Sequence, residues 1–170
     1  ANFFNSPTGA KYLVATPLLA RELGKAARIP DALTRYAEFC KASIPDTLSL
    51  AGWKIALDCA HGATYHVAPA VFEELGADIH VLGASPDGLN INRDAGSTSP
   101  AGLSKVVVEL GADLGIAFDG DGDRCGVVDN EGNEIFADKI GVMLARDLSA
   151  LHKGATFVVD VKSTGLFATD

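Results

Sequence analysis

Leu114-Gly115-Ile116-Ala117-Phe118-Asp119-Gly120-Asp121-Gly122-Asp123-Arg124-Cys125-Gly126-Val127-Val128-Asp129 is the stretch on which the reading of this chain turns. Leu114 to Phe118 is an apolar run of strand length, and Cys125 to Asp129 is another. Between them three Asp alternate with Gly. Glycine lets the backbone turn tightly enough to bring three carboxylates to one point. Anions about 4 Å apart repel by roughly 1–4 kcal/mol per pair, so a fold that collects them calls for a cation. Oxygen-only ligands select a hard ion, Mg²⁺ or Ca²⁺. An acidic surface turn is the bland alternative, but the end of a strand is where α/β proteins bind ligands. An EF-hand loop fails on spacing: from Asp119, the sixth residue is Arg124 where Gly is needed, and the twelfth is Asn130 where Glu is needed.

Outward from this loop, strand and helix patterns alternate. Lys54 to Cys59 reads as a buried strand, followed by a break at Gly62-Ala63 and a helical face at Val67, Val71, Phe72 and Leu75, closed by Gly76. Ile79 to Leu82 is a second strand. Ser85-Pro86-Asp87-Gly88 opens a polar loop that ends at Ser99, an expected N-cap with Pro100 at the first helical position. Leu103, Val106, Val107 and Leu110 form the next stripe, ended by Gly111. Asn130 to Asn133 is a turn. Asp138 is expected to cap a last helix with Ile140, Met143, Leu144 and Leu148 inward, and Thr156 to Val161 reads as one more strand. Upstream, Leu18, Leu19 and Leu23 make a short stripe, and a helix is predicted over residues 31–43 with Leu33, Tyr36, Ala37 and Cys40 on one face. The alternation implies an α/β sandwich with a largely parallel sheet. Residues 1–48 are read as a helical lead-in and linker, 49–151 as the α/β domain, and 152–170 as the first strand of a following domain. The start at Ala1 and the end at Asp170 lead us to expect a segment of a longer protein.

Composition narrows the function. The 170 residues are 48% hydrophobic and 21% charged, with a formal net charge of −8. That excess of acid offers nothing for nucleic acid or an anionic membrane to hold. No apolar run approaches the ~18 residues of a membrane span. Cys40, Cys59 and Cys125 are far apart with no C-x-x-C, which disfavours a disulfide framework or zinc ribbon and points to a reducing cytoplasm.

Asp119 to Arg124 resembles the metal loop of the α-D-phosphohexomutases, which move a phosphoryl group between the 1- and 6-positions of a hexose. Arg35 to Lys41, Leu57 to Tyr65, Gly88 to Asn92 and Gly96 to Thr98 are similar to the branch acting on glucosamine phosphates. Cys125 to Asp129 and Val159 to Thr164 look closer to the phosphomannomutase/phosphoglucomutase branch, and His61 stands where Asn is commoner. The resemblance covers about residues 35–151 and corresponds to the second of four domains. It implies a three-layer α/β/α sandwich around a mixed, mostly parallel four-stranded sheet. It further implies that Asp119, Asp121 and Asp123 ligate Mg²⁺, that Arg124 is a catalytic residue beside a phosphate, and that this phosphate is carried by a phosphoserine loop of the preceding domain, with a phosphosugar as substrate. The Ser-His-Asn-Pro string of that loop does not occur here, so this chain is expected to be inactive by itself. A divalent-ion-binding module without a catalytic parent is the alternative from another class.

Lesser candidates read as structural. His61 suits a loop, Ser97-Thr98-Ser99 suits a helix start more than a phosphate cradle, Cys59 and Cys125 suit small buried hydrophobes, and Trp53 suits packing. Lys162-Ser163-Thr164 lacks the glycine frame of a P-loop.

Overall fold

The structure is a computed structural model that describes residues 24–45 and 47–168. The chain divides into two units, Ala1–Pro30 and Asp31–Asp170. Residues 24–30 carry no helix or strand, and the stripe expected at Leu18, Leu19 and Leu23 lies outside the described residues.

The order in the second unit is α1 (Ala32–Lys41), β1 (Lys54–Asp58), a 3₁₀ turn (Ala63–Tyr65), α2 (Val67–Glu74), β2 (Asp78–Leu82), α3 (Ala101–Leu110), β3 (Leu114–Phe118), β4 (Cys125–Asp129), β5 (Glu134–Ile135), α4 (Ala137–Leu151) and a 3₁₀ turn (Gly165–Ala168). The strands form one sheet in the order β2-β1-β3-β4-β5. β2, β1 and β3 run parallel, and β3-β4 and β4-β5 pair antiparallel. The fold is therefore the expected α/β/α sandwich around a mixed sheet, with five strands among the described residues rather than four. The added strand is two residues long, below what periodicity registers.

Side chains alternate across a strand. Ala56, Ala117 and Val128 lie on the face packed against Leu103 and Val107 of α3, with Ala112 completing that core. Ile55 and Leu57 of β1 point to the other face and are also fully buried. Helix α3 ends as expected, at Gly111 in the left-handed region (φ 59°), whose amide bonds back to the last turn. Helix α1 lies against α2 through buried Ala37, with Lys41 bonded to both Glu38 and Glu74.

Several local expectations are corrected. Ser99 does not cap α3: Pro100 takes the cap position without a side-chain bond, and the Ser99 amide donates to Gly96 O at 3.0 Å. Asp138 sits inside the first turn of α4 after Phe136 at the cap position, where its charge still suits the helix N-terminus. In α4 the buried residue is Val142, whereas Met143, Leu144 and Leu148 are 59%, 59% and 44% exposed. The periodicity gave an apolar stripe but not the neighbour that covers it. Thr156–Val161 joins no sheet, because a strand needs a partner for its amides and carbonyls and none pairs with it among the described residues. Trp53 and Cys125 are exposed rather than packed inside.

Because β1, β2 and β3 are parallel, their C-terminal ends open at one edge of the sheet, and β4 begins there too. The loops that follow the three parallel strands therefore meet at one place.

Candidate metal centre

Phe118 and Cys125 are register partners, so Asp119–Arg124 is a loop that closes one hairpin. Its two glycines serve different ends. Gly122 turns the chain at φ +77°, in the left-handed region. At Gly120 the reason is closeness: a Cβ there would come within 2.7 Å of the Ile91 side chain and 2.8 Å of Asn92 Nδ2. The loop is held from both sides. Ser97 N donates to Phe118 O at 2.8 Å, and Ala63 N donates to Gly120 O at 2.9 Å.

The structure brings the three aspartates together. One carboxylate oxygen from each of Asp119, Asp121 and Asp123 lies within 4.8 Å of the others. Asp119 is buried and the other two are exposed, so one fixed candidate ligand stands beside two with room to adjust. Two oxygens held at about 2.1 Å by one ion lie no more than about 4.2 Å apart, so Asp121 and Asp123, being exposed, would draw inward to hold a hard cation. The all-oxygen donor set thus fits Mg²⁺.

Arg124 supplies the one positive charge inside the loop. Its backbone N donates to Asp119 Oδ1 at 3.0 Å, its Nε to Asp119 Oδ2 at 2.7 Å, and its Nη2 reaches the same oxygen at 2.6 Å. Nε also lies 3.5 Å from Asp123 Oδ1. Burial works to raise the Asp119 pKa, but the amide and guanidinium of Arg124 override it and hold that carboxyl down to about 2. Asp123 moves the opposite way: the charges of Asp121 and then Asp119 raise it. The loop thus holds one firmly ionised carboxylate and one that its like-charged neighbours resist ionising.

A cleft of about 470 Å³ opens beside Asp123 and Arg124, with Ser97, Thr98, Glu134 and Phe136 among its lining residues. Ser97 and Thr98 are therefore next to the loop. His61 is the loop residue it was expected to be, with Nδ1 accepting the Ser85 amide at 3.2 Å. Cys59 is fully buried, and burial pushes its thiol up to about 11, which removes it as a nucleophile. Asp58 was missed. It is 3% exposed, with Oδ1 accepting Ala60 N at 2.9 Å and Oδ2 accepting Gly96 N at 2.7 Å. The signal was present: a carboxylate at the end of an otherwise apolar strand has to find donors.

The molecule is thus a three-layer α/β/α domain with an acidic, oxygen-only loop at its strand ends. The chain belongs to the phosphoglucomutase/phosphomannomutase family, as its alpha/beta/alpha domain II: residues 34–132, over half the chain, match that family. It is 60% identical over 128 residues to a phosphoglucosamine mutase of Chromohalobacter salexigens, covering 75% of this chain and 28% of that protein. It is 59% identical over 133 residues to the phosphoglucosamine mutase of Aeromonas hydrophila, covering 78% of this chain and 30% of that protein. Among solved structures, a phosphoglucomutase/phosphomannomutase family protein from Burkholderia thailandensis superposes with a TM-score of 0.68 at 30% identity, over 81% of this chain and 30% of that one. The chain thus spans less than a third of the curated relatives it matches.

Proposed function

We propose that this chain is the Mg²⁺-holding domain of a phosphohexomutase that interconverts glucosamine 6-phosphate and glucosamine 1-phosphate. The convergence of Asp119, Asp121 and Asp123 within 4.8 Å carries the proposal. Bound there, Mg²⁺ supplies positive charge that offsets the charge of a phosphoryl group in transit. Asp119 fixes the Arg124 backbone and side chain, and the guanidinium presents forked donors of the kind that recognise a phosphate oxygen. The cleft beside it is where a phosphoserine from the preceding domain and the phosphosugar would enter.

The names of the relatives support the sugar, and the phosphomannomutase-like segments support glucose or mannose phosphate as the second reading. Three free thiols without a disulfide partner support a reducing cytoplasm. Among the described residues, no helix is long and apolar enough to cross a membrane.

Calorimetric titration with MgCl₂ tests the site. The wild-type chain should give a binding heat that Asp121→Asn reduces, and equal heats would overturn the assignment. In a coupled assay with glucosamine 6-phosphate and a bisphosphate primer, the isolated chain should stay at background, because a metal does not replace a covalent phosphoryl carrier. Turnover that depends on Asp119 would refute that.

A further inference from the structure

We infer that Asp58 is a positioning residue for the metal loop: by accepting the amides of Ala60 and Gly96, its buried carboxylate locks together the two backbone segments that grip the loop from either side. The inference rests on the metal reading above and adds a residue that touches none of the three ligands.

Asp58 ends β1, in register with Ala117 of β3 and Leu82 of β2. Its two oxygens go to different segments, one to an amide 2 residues on and one to an amide 38 residues on. Each segment then reaches the metal loop. From Gly96, the next residue donates its amide to Phe118 O, just ahead of Asp119. From Ala60, the chain runs to Ala63, whose amide donates to Gly120 O, between the first two ligands. The two segments also bond directly, Asn92 N to Ala60 O at 2.8 Å. The backbone of 118–120 is thus held in a clamp whose arms are tied at Asp58.

The clamp is wound unfavourably. Ala60, Asn92 and Asp94 have φ of 54°, 56° and 51° without being glycine. Such left-handed positions persist where the surroundings over-determine them. A carboxylate meets that need better than an amide here, since two backbone N–H groups point at it. Asparagine offers one acceptor and would turn an NH₂ toward the second donor. Groups bonded directly to a metal's ligands commonly change its affinity by about 10–100-fold, and Asp58 acts through backbone links behind them, which places it at the lower end of that range.

The test uses the 170-residue chain as wild type, Asp58→Asn and Asp129→Asn. Asp129 is the control, a carboxylate that also accepts two backbone amides but organises the turn at the other end of β4. Mg²⁺ affinity is read by calorimetry, and Tm in EDTA. Asp58→Asn should weaken Mg²⁺ binding by about tenfold or more, while Asp129→Asn lowers Tm and keeps the wild-type Kd. An unchanged Kd in Asp58→Asn, or equal weakening in both variants, overturns the inference. Wild type without any Mg²⁺ heat overturns the metal reading itself, and this inference with it. Should Asp58→Asn not fold, amide exchange on the wild type decides: saturating Mg²⁺ should slow exchange at Ala60 and Gly96 by more than at Glu131 and Asn133. Equal slowing at both pairs overturns the inference.

Discussion

Strand β4 leaves one acidic loop and runs into another, and the two are built on opposite principles. Behind it, Asp129 accepts the amides of Glu131 and Asn133 at 2.9 and 2.8 Å and the Asn133 side-chain amide at 3.1 Å. Every donor is neutral, local and supplied by the turn itself. Ahead of it, Asp119 takes an arginine onto its carboxylate, and Asp121 and Asp123 add two further charges. The first loop is complete within a few residues. The second carries more negative charge than its own donors offset, and its backbone is fixed by segments far away in sequence. An acidic turn therefore satisfies itself, whereas an acidic site is held in shape from outside and left with charge to spare.

Magnesium should separate the two most widely. An ion that binds the folded loop and not the unfolded chain stabilises by about 2.7 kcal/mol at roughly 100 times its Kd, which is about 5–10 °C in Tm for a chain of this size. Melts in EDTA and in MgCl₂ check it, and a shift that survives removal of all three aspartates would break the contrast between the loops.

Asp129→Asn comes next and should lower Tm by roughly 3 °C at neutral pH. The Asn133 amide and side chain hold the Asp129 carboxyl below its ordinary range. Its contribution is then fully present above the unfolded carboxylate range near pH ~4. It is lost as pH falls through the lower folded value. The gap between variant and wild type should therefore close between pH 7 and strongly acidic buffer. A gap that stays constant would mean the charge is irrelevant to the turn.

Asp121→Asn should have the smallest effect, with opposite signs in the two conditions. Removing one charge relieves repulsion and raises Tm in EDTA by about 1–2 °C, while the Mg²⁺ response shrinks. Since Asp121 is the main cause of the raised Asp123 pKa, a carboxyl NMR titration should show Asp123 moving back down. A variant that melts lower in EDTA and keeps the full Mg²⁺ shift would make both loops ordinary turns.

Much of this arrangement is legible in the residues alone. The runs at Leu114–Phe118 and Cys125–Asp129 match β3 and β4 residue for residue, because a strand buried in a sheet has to be apolar and short. Gly76 and Gly111 mark the ends of α2 and α3 because left-handed backbone excludes most other residues. The alternating aspartates announce their own convergence. What stayed hidden depends on distant partners. Asp58 reads as the polar end of a strand until Gly96 N arrives 38 residues later. Ser99 has the chemistry of a cap, but its backbone is spent on a bond to Gly96. The stripe of α4 states that the helix has an apolar face and is silent on what lies against it.

Where the loop after β1 passes the acidic loop, the two main chains touch directly. A Cβ placed on Gly62 would fall 2.3 Å from Gly120 O. That contact divides the site's alphabet into two parts that selection reads differently. Asp121 and Asp123 are exposed, and the fold does not rest on them. Gly62 admits no side chain, because what it would strike is backbone, whereas a Cβ on Gly120 would meet the side-chain ends of Ile91 and Asn92. A library screened for folded protein should therefore tolerate change at Asp121 and Asp123 and reject it at Gly62, and a library screened for metal binding should reject both. The vocabulary of the site is narrower in its silent letters than in its charged ones.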